Sequence, residues 1–163
     1  MPTIQDAAAE FLSNTRIAVT GVSRDPKSHG SNVVYRRLRD RGYEVVAVNP
    51  NAAEVEGDRC YPDLASLPTP VDAVVIGTRP AHAQGTMEEC ERLGIRHVWM
   101  HRSFGEGSCS PEAATYGRER GITVIDGGCP LMFGPTSDMA HKVMRFLLRP
   151  SRNVPRSIAE PKR

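Results

Sequence analysis

The chain has 163 residues, of which 39% are hydrophobic and 25% are charged, and its formal net charge is +2. This length suits one domain with a buried core, and no apolar run approaches the ~20 residues that a membrane-spanning helix needs. We therefore expect one soluble domain that does not bind or cross a membrane. The acidic N-terminal segment lacks the basic-then-apolar order of a secretory signal, which predicts a cytoplasmic protein.

The positive charge is concentrated at the C-terminus. From residue 150 onward, Arg152, Arg156, Lys162 and Arg163 face only one acid, Glu160, so the rest of the chain is nearly neutral. We expect residues 1–149 to form the folded domain and residues 150–163 to form a basic, disordered tail. Because nucleic-acid binding usually needs a basic face on the folded domain, nucleic acid is not an expected partner.

Short apolar runs alternate with amphipathic segments, a pattern typical of βαβ units and a parallel sheet. After an N-terminal helix at 6–12, the pattern predicts strands at 16–20, 44–48, 73–77, 97–100 and 122–125, and helices at 31–41, 81–93, 111–120 and 136–148. The turn-rich stretch 49–70 is predicted to be a loop with one helical turn near Leu64. The last helix places Met139, Val143 and Phe146 or Leu147 on one face. The fold class is therefore α/β, a doubly wound domain with a five-stranded, mainly parallel sheet flanked by helices.

The loop after the first strand departs from the dinucleotide-binding fingerprint. Gly21 is present, but Ser23 and Pro26 occupy the places of the second and third glycines. The second strand runs into Asn49-Pro50, where NAD domains carry an acid that binds the ribose. Ser23 can donate its hydroxyl to a phosphate oxygen, and Lys27 offers a cation. This loop predicts a phosphorylated ligand other than NAD.

The four cysteines are scattered, without a C-x-x-C pair, which indicates reduced thiols rather than a zinc site. Cys129 and His101 follow neighbouring predicted strands, and Asp126 could orient the histidine, so a Cys/His nucleophile pair is one alternative. We favour the simpler interpretation, in which Cys129 is a small buried hydrophobe and His101 is a surface loop residue. We assign no catalytic residue and no metal ligand.

Taken in order, the strand ends resemble those of the small CoA-binding proteins related to the nucleotide-binding domain of the succinyl-CoA synthetase α subunit. The likeness covers residues 15–132 and rests on Gly21-Val22-Ser23 with Pro26-Lys27, Gly42-Tyr43-Glu44-Val45 leading to Val48-Asn49-Pro50, Val71-Asp72, Val98-Trp99 and Cys129-Pro130. The resemblance implies a single Rossmann-like domain that binds coenzyme A, free or as acyl-CoA, through its adenine and phosphates.

The resemblance also implies which residues surround the nucleotide. The candidate cofactor-binding residues are those of the first loop, the turn after the second strand and the segment after the third: Gly21, Val22, Ser23, Arg24, Lys27, Asn49, Pro50, Thr78, Arg79 and Pro80. Arg24, Lys27 and Arg79 could supply cations for the 3′-phosphate and the pyrophosphate of CoA. Two of the prolines, Pro50 and Pro80, could border the adenine ring.

The chain departs from the family pattern where the sulfur of CoA is expected. Family members commonly show Gln-x-Gly after the tryptophan strand and Asp-Arg-Cys after the fifth strand, whereas this chain has Met100-His101-Arg102 and Asp126-Gly127-Gly128-Cys129. The phosphohistidine segment and second subunit of the synthetase have no visible counterpart. We therefore expect a CoA-binding protein without catalytic machinery. The alternatives are an atypical NAD(P) oxidoreductase and a Cys/His-dependent acyl-transfer enzyme. A homodimer is compatible with so small a domain, although no residue indicates one.

Overall fold

A seven-stranded sheet forms the centre of the computed structural model, which describes residues 1–25, 30–148, 150–151 and 153–162. Its strands are β1 (Arg16–Thr20), β2 (Glu44–Val48), β3 (Glu54–Val55), β4 (Asp58–Tyr61), β5 (Ala73–Ile76), β6 (His97–Met100) and β7 (Thr123–Asp126). The spatial order is β3-β4-β2-β1-β5-β6-β7, and only β3 and β4 pair antiparallel. The predicted α/β class with a mainly parallel sheet is confirmed.

The sheet has seven strands rather than five because part of the expected loop 49–70 forms a hairpin. Its turn is Glu56-Gly57, whose φ angles of 52° and 81° are both positive, as a type I′ hairpin turn requires. The returning strand β4 then pairs with β2, with Cys60 opposite Ala47. Directly after the hairpin, residues 62–66 form bends and turns, and the Leu67 amide donates to the Leu64 carbonyl at 3.3 Å, so the turn predicted near Leu64 is present as a single hydrogen-bonded turn.

The five predicted helices are all present. They are α1 (Ile4–Leu12), α2 (Gly30–Asp40), α3 (Pro80–Arg92), α4 (Pro111–Glu119) and α5 (Met139–Leu148). Thr3 and Asp6 form a reciprocal capping box at the start of α1, and proline begins both α3 and α4. The last helix starts later than predicted because residues 130–136 contain two short 3-10 helices. No helix in the described ranges is long and apolar enough to cross a membrane.

Apolar clusters cover both faces of the sheet. One contains side chains of α1 and α2, and the other contains side chains of α3 and α4. Trp99 of β6 is fully buried in the first cluster, with its ring centroid 5.3 Å from that of Phe11 and 5.6 Å from that of Phe133. Its indole N–H donates to the carbonyl of Gly127 at 2.9 Å. Because both faces of the sheet are covered by packed side chains, a ligand can reach the sheet at the ends of its strands.

Helix α5 turns most of its apolar face outward. Met139, Val143, Phe146 and Leu147 are between 50% and 74% exposed, whereas Leu148 is buried. The helix is attached through Leu148 and through Arg145, whose guanidinium lies 5.0 Å from the centre of the Phe133 ring. The face that the sequence pattern defines is therefore a surface of the molecule and not a core contact.

The described C-terminal residues pack on the domain, which corrects the expectation of a disordered tail. Val154 and Ile158 are only 3% and 1% exposed. Ser157 forms an antiparallel bridge with Thr3, and the carbonyl of Asn153 accepts a hydrogen bond of 2.7 Å from the Gly128 amide. The sequence did not reveal this packing because isolated apolar residues in a polar, proline-containing stretch show no helical or strand period.

Candidate functional site

A crevice of about 540 Å³ opens at the carboxyl ends of β1, β2 and β5. In the sheet, β1 has β2 on one side and β5 on the other, so the strand order reverses direction here. In doubly wound sheets, ligands bind in the crevice at such a switch point. The candidate site is therefore the crevice at the carboxyl ends of these three strands.

The floor of the crevice is bare backbone because two glycines meet there. Gly21 has φ +76°, and a Cβ on it would lie 2.6 Å from the carbonyl oxygen of Gly77. A Cβ on Gly77 would in turn lie 2.6 Å from the carbonyl oxygen of Thr20 and would overlap the Ser31 hydroxyl. Real Cβ atoms do not approach other atoms so closely, so only glycine fits at both positions. The two glycines thus let the ends of β1 and β5 pack closely together beneath the crevice.

Asn32 of α2, which sequence reasoning did not select, holds the first loop in place. Its side-chain oxygen accepts from the Ser23 amide at 2.8 Å, and its NH₂ group donates to the Ser23 carbonyl and to the Glu56 carboxylate, both at 2.8 Å. The bonds from Asn32 and Arg36 keep the pKa of Glu56 below its ordinary value, despite partial burial. Asn32 is fully buried. A buried amide on an apolar helix face is the signal that could have revealed it.

We expect Asn32→Ala to lower the free energy of unfolding by about 1–3 kcal/mol, because it leaves buried polar groups of Ser23 without partners. Equilibrium urea unfolding measures the change. Arg36→Ala is the matched control, since it removes another bond to Glu56, from a guanidinium 3.0 Å away, but leaves Ser23 untouched. An equal loss in both variants would contradict the assignment of the effect to the loop.

Six of the ten predicted site residues line the crevice, namely Gly21, Ser23, Asn49, Pro50, Thr78 and Arg79. Three others do not: the Val22 side chain is fully buried in the core, Arg24 is exposed outside the lining, and Pro80 begins α3. Lys27 lies outside the described residues, as does Pro26.

Asn49 organises the loops around the crevice. Its NH₂ group donates to the Val22 carbonyl at 2.9 Å, and its side-chain oxygen accepts from the Asn51 amide at 2.9 Å. Its own main-chain amide donates to the Tyr61 carbonyl at 2.8 Å. An ionised aspartate could not donate to Val22, so the amide at this position has a structural reason as well as an electrostatic one.

The start of α3 is open towards the crevice. The N-cap residue, Arg79, makes no hydrogen bond from its side chain to the helix amides, and Arg79 itself is exposed. The first amides of a helix lack intrahelical partners and carry positive partial charge, which favours phosphate. In α3, Pro80 has no N–H and the His82 amide donates to the Arg79 carbonyl at 3.0 Å, so the Ala81 amide is the donor that this helix start can offer. Ser23 adds a hydroxyl, which accepts from the Asp25 amide at 3.0 Å and keeps its own hydrogen for a ligand. These groups can together hold a phosphorylated ligand.

One wall of the crevice is a stripe along α3 that sequence reasoning missed. His82, Gly85, Thr86 and Glu89 all line the crevice. Their spacing of three and four residues puts them on one helix face, which is the signal that could have identified them. Glu89 accepts from the Ala65 amide at 3.0 Å. The crevice therefore contains carboxylates, although the Asn49 turn itself has none.

A second carboxylate in the lining belongs to Asp63, which follows β4. One of its oxygens accepts from both the amide and the hydroxyl of Ser66, at 2.7 and 2.6 Å. Since these bonds leave the other oxygen free for a donor, Asp63 can accept a hydrogen bond from a ligand.

The described residues show no direct hydrogen bond for the Cys/His pair considered as an alternative, because the Ser103 hydroxyl lies between the two side chains and bonds to the Cys129 thiol. Cys129 is 2% exposed, and burial raises the pKa of its thiol to about 12. His101 Nε2 instead lies 3.4 Å from the Ser103 hydroxyl, and burial, with a contribution from nearby His141, lowers the pKa of His101 to about 4. Asp126 pairs with Arg118 at 2.8 Å. The thiol is therefore protonated and enclosed, and His101 is partly buried rather than a surface loop residue.

The fold and this site define a doubly wound domain with a crevice where the strand order reverses, lined at its base by Gly21 and Gly77. A family model described as a CoA binding domain matches residues 15–135, and the chain belongs to this family. It is 32% identical over 114 residues to the uncharacterized protein YneT of Bacillus subtilis, covering 70% of this chain and 81% of that protein.

A longer relative contains the same kind of domain. The chain is 33% identical over 96 residues to ADP-forming acetate–CoA ligase II of Archaeoglobus fulgidus, which is 58% of this chain but only 14% of the ligase.

Solved structures show the same fold. A hypothetical protein from Pyrococcus horikoshii has a TM-score of 0.72 at 26% identity, covering 80% of this chain and 92% of that one. A protein from Thermus thermophilus has a TM-score of 0.63 at 30% identity, covering 75% and 89%. These comparisons confirm the family that the strand-end motifs indicate.

Proposed function

We propose that this protein binds CoA or an acyl-CoA in the switch-point crevice and acts as a binding module without chemistry of its own. The observation that carries the proposal is the crevice itself. Six residues selected for CoA contact line one cavity, in a chain that belongs to the CoA binding domain family.

The phosphates of CoA would be held at the β1 and β5 ends. Arg79, the Ser23 hydroxyl and the Ala81 amide at the start of α3 offer the cation and the donors that phosphate oxygens require. Arg24 and Lys27 belong to the same loop in the sequence and add two cations for the 3′-phosphate and the pyrophosphate. These cations suit CoA, which carries a 3′-phosphate that NAD lacks.

The adenosine would occupy the other side of the crevice. Pro50 and Pro62 offer rigid apolar surfaces, and Gly85 leaves open space on the α3 wall, where a Cβ would meet nothing within 4 Å. Asp63 and Glu89 can accept hydrogen bonds from the adenine amino group or from the ribose hydroxyl. The crevice thus combines an anion-binding end with an end suited to a nucleoside.

The two enzyme alternatives have less support. For NAD(P), the first loop lacks two of the fingerprint glycines. In addition, Asn49 stands where such domains carry an acid, and its side-chain NH₂ donates to the Val22 carbonyl of that loop. For acyl transfer, Cys129 is protonated and buried. Ligation is not proposed, because the chain spans only 14% of the Archaeoglobus ligase.

Thermal unfolding with a panel of nucleotides tests the proposal. CoA and acetyl-CoA, at about a hundredfold above Kd, should stabilise the protein by about 2.7 kcal/mol and raise the Tm by about 5–10 °C. NAD, NADP and ATP at the same concentration should give much smaller shifts. A shift with NAD or NADP but not with CoA would overturn the proposed function and favour the oxidoreductase.

A further inference from the structure

A second pocket, of about 350 Å³, adjoins the crevice at the carboxyl ends of β5 and β6. Gly77, Thr78 and Arg79 form part of both linings, so the two spaces meet at this segment. The far wall of the second pocket contains His101, Ser103 and Phe104. A ligand in the crevice can therefore extend past Thr78 into the second pocket without crossing another element.

The distance between the two ends suits a long ligand. From Asn49, after β2, to His101, after β6, the sheet order crosses three strand intervals, or about 14–15 Å at roughly 4.8 Å each. Adenosine near Asn49 and its phosphates over β1 and β5 leave the last part of this path to the pantetheine arm. The arm is longer than the strand interval that remains, so in this inference it bends to bring its sulfur into the second pocket.

Thr78, which lines both spaces, carries a donor that is unpaired in the described part of the chain. The Thr78 hydroxyl is buried and has no hydrogen-bond partner among the described residues. A buried hydroxyl without a partner is costly, so a ligand that accepts its hydrogen would be stabilised. A thioester carbonyl is such an acceptor, whereas the free thiol of CoA is a weak one.

The rest of the lining is uncharged apart from Arg79. It has hydroxyls, an apolar ring in Phe104, which is 68% exposed, and no carboxylate. His101 is neutral at pH 7, since burial lowers its pKa to about 4. If Arg79 pairs with phosphate at the shared wall, the described residues of this lining offer no other cation to neutralise a terminal carboxylate on an acyl chain.

We propose that this second pocket receives the thioester end of a short, uncharged acyl-CoA, such as acetyl- or propionyl-CoA, with the Thr78 hydroxyl donating to the thioester carbonyl. The inference rests on the proposed function, because it takes CoA to be bound in the crevice. To that function it adds a preference for short, uncharged acyl groups over charged ones. The protein would then report the acylation state of CoA rather than its total concentration.

Isothermal titration calorimetry tests this inference. The four ligands are adenosine 3′,5′-bisphosphate, CoA, acetyl-CoA and succinyl-CoA. For the unmodified protein, acetyl-CoA should bind about five- to tenfold more tightly than CoA, as expected for one added hydrogen bond, and more tightly than succinyl-CoA. Thr78→Val keeps the side-chain shape and should reduce the preference for acetyl-CoA to about twofold or less. Because Thr78 also lines the crevice, the effect of this variant on the bisphosphate is the baseline, and the loss of affinity for acetyl-CoA should exceed it.

A second variant separates the pockets. Ser103→Leu fills only the second pocket, so it should weaken CoA and acetyl-CoA while sparing the bisphosphate. Melting curves establish that both variants are folded. Equal affinities for CoA and acetyl-CoA, tighter binding of succinyl-CoA, or equal weakening of all ligands by Thr78→Val would overturn the inference while leaving CoA binding intact. Absence of binding by both CoA and the bisphosphate would instead overturn the proposed function, and this inference with it.

Discussion

Replacing Gly85 by leucine should lower the affinity for CoA by about a hundredfold or more while the protein stays folded. Gly85 is an exposed residue of α3 on the wall of the crevice, and a Cβ there would meet no atom within 4 Å. A leucine therefore has room in the free protein, but its side chain extends into the space proposed for the adenosine. Titration of CoA into the variant measures the loss.

Gly85→Ala is the matched control for this variant. Both residues favour a helix over glycine by about 0.5–1 kcal/mol, so both variants should melt at or above the temperature of the unmodified protein. Alanine adds a single methyl group and should change the affinity for CoA by much less than leucine does. Undiminished CoA binding in a folded Gly85→Leu protein would place the nucleotide outside the crevice.

Trp99→Ala should reduce the free energy of unfolding by about 3–5 kcal/mol, the usual cost of truncating a large buried aromatic residue. Trp99 is fully buried, and its ring contacts those of Phe11 and Phe133. Its N–H also satisfies the carbonyl of Gly127. Because small domains are typically stable by only about 5–15 kcal/mol, this change removes a large share of the total.

Trp99→Phe is the control that separates packing from hydrogen bonding. It keeps a ring against Phe11 but loses the bond to Gly127, so its cost should be clearly smaller than that of alanine. Urea unfolding of the three proteins measures both steps. A loss below about 1 kcal/mol in Trp99→Ala would contradict the packing of β6 described here.

The arrangement of the main elements was predictable because their signals are local. Strands such as 73–76 are continuous apolar runs, α3 and α4 begin at proline, and α2, α3 and α4 end shortly before a glycine. The order of such elements is enough to specify a doubly wound sheet. Ligands bind at the carboxyl ends of such strands, and the resemblance to the CoA-binding family pointed to the same segments, from which six residues line the crevice.

The remaining features depend on contacts between distant parts of the chain. The β3–β4 hairpin is short and turns at Glu56-Gly57 rather than at Asn-Gly, so its local pattern is weak. Asn32 acts through Ser23 and Glu56, which only the fold brings together. The outward face of α5 and the burial of Ile158 likewise depend on how these two segments pack on the rest of the domain.

The α3 wall was missed for a different reason. Its residues lie on a helix face, and sequence reasoning searched the loops that follow the strands. His82, Gly85 and Glu89 show the helical spacing that a wall of a crevice requires. A polar stripe on a helix that follows a strand end is therefore worth testing as part of the site.

Calorimetric titration of CoA into the unmodified protein tests the central claim most directly. The account predicts saturable binding of one CoA per chain, with competition by adenosine 3′,5′-bisphosphate and loss of binding in Gly85→Leu. A folded protein that gives no saturable heat with CoA, or that binds CoA equally well with Gly85→Leu, would contradict it.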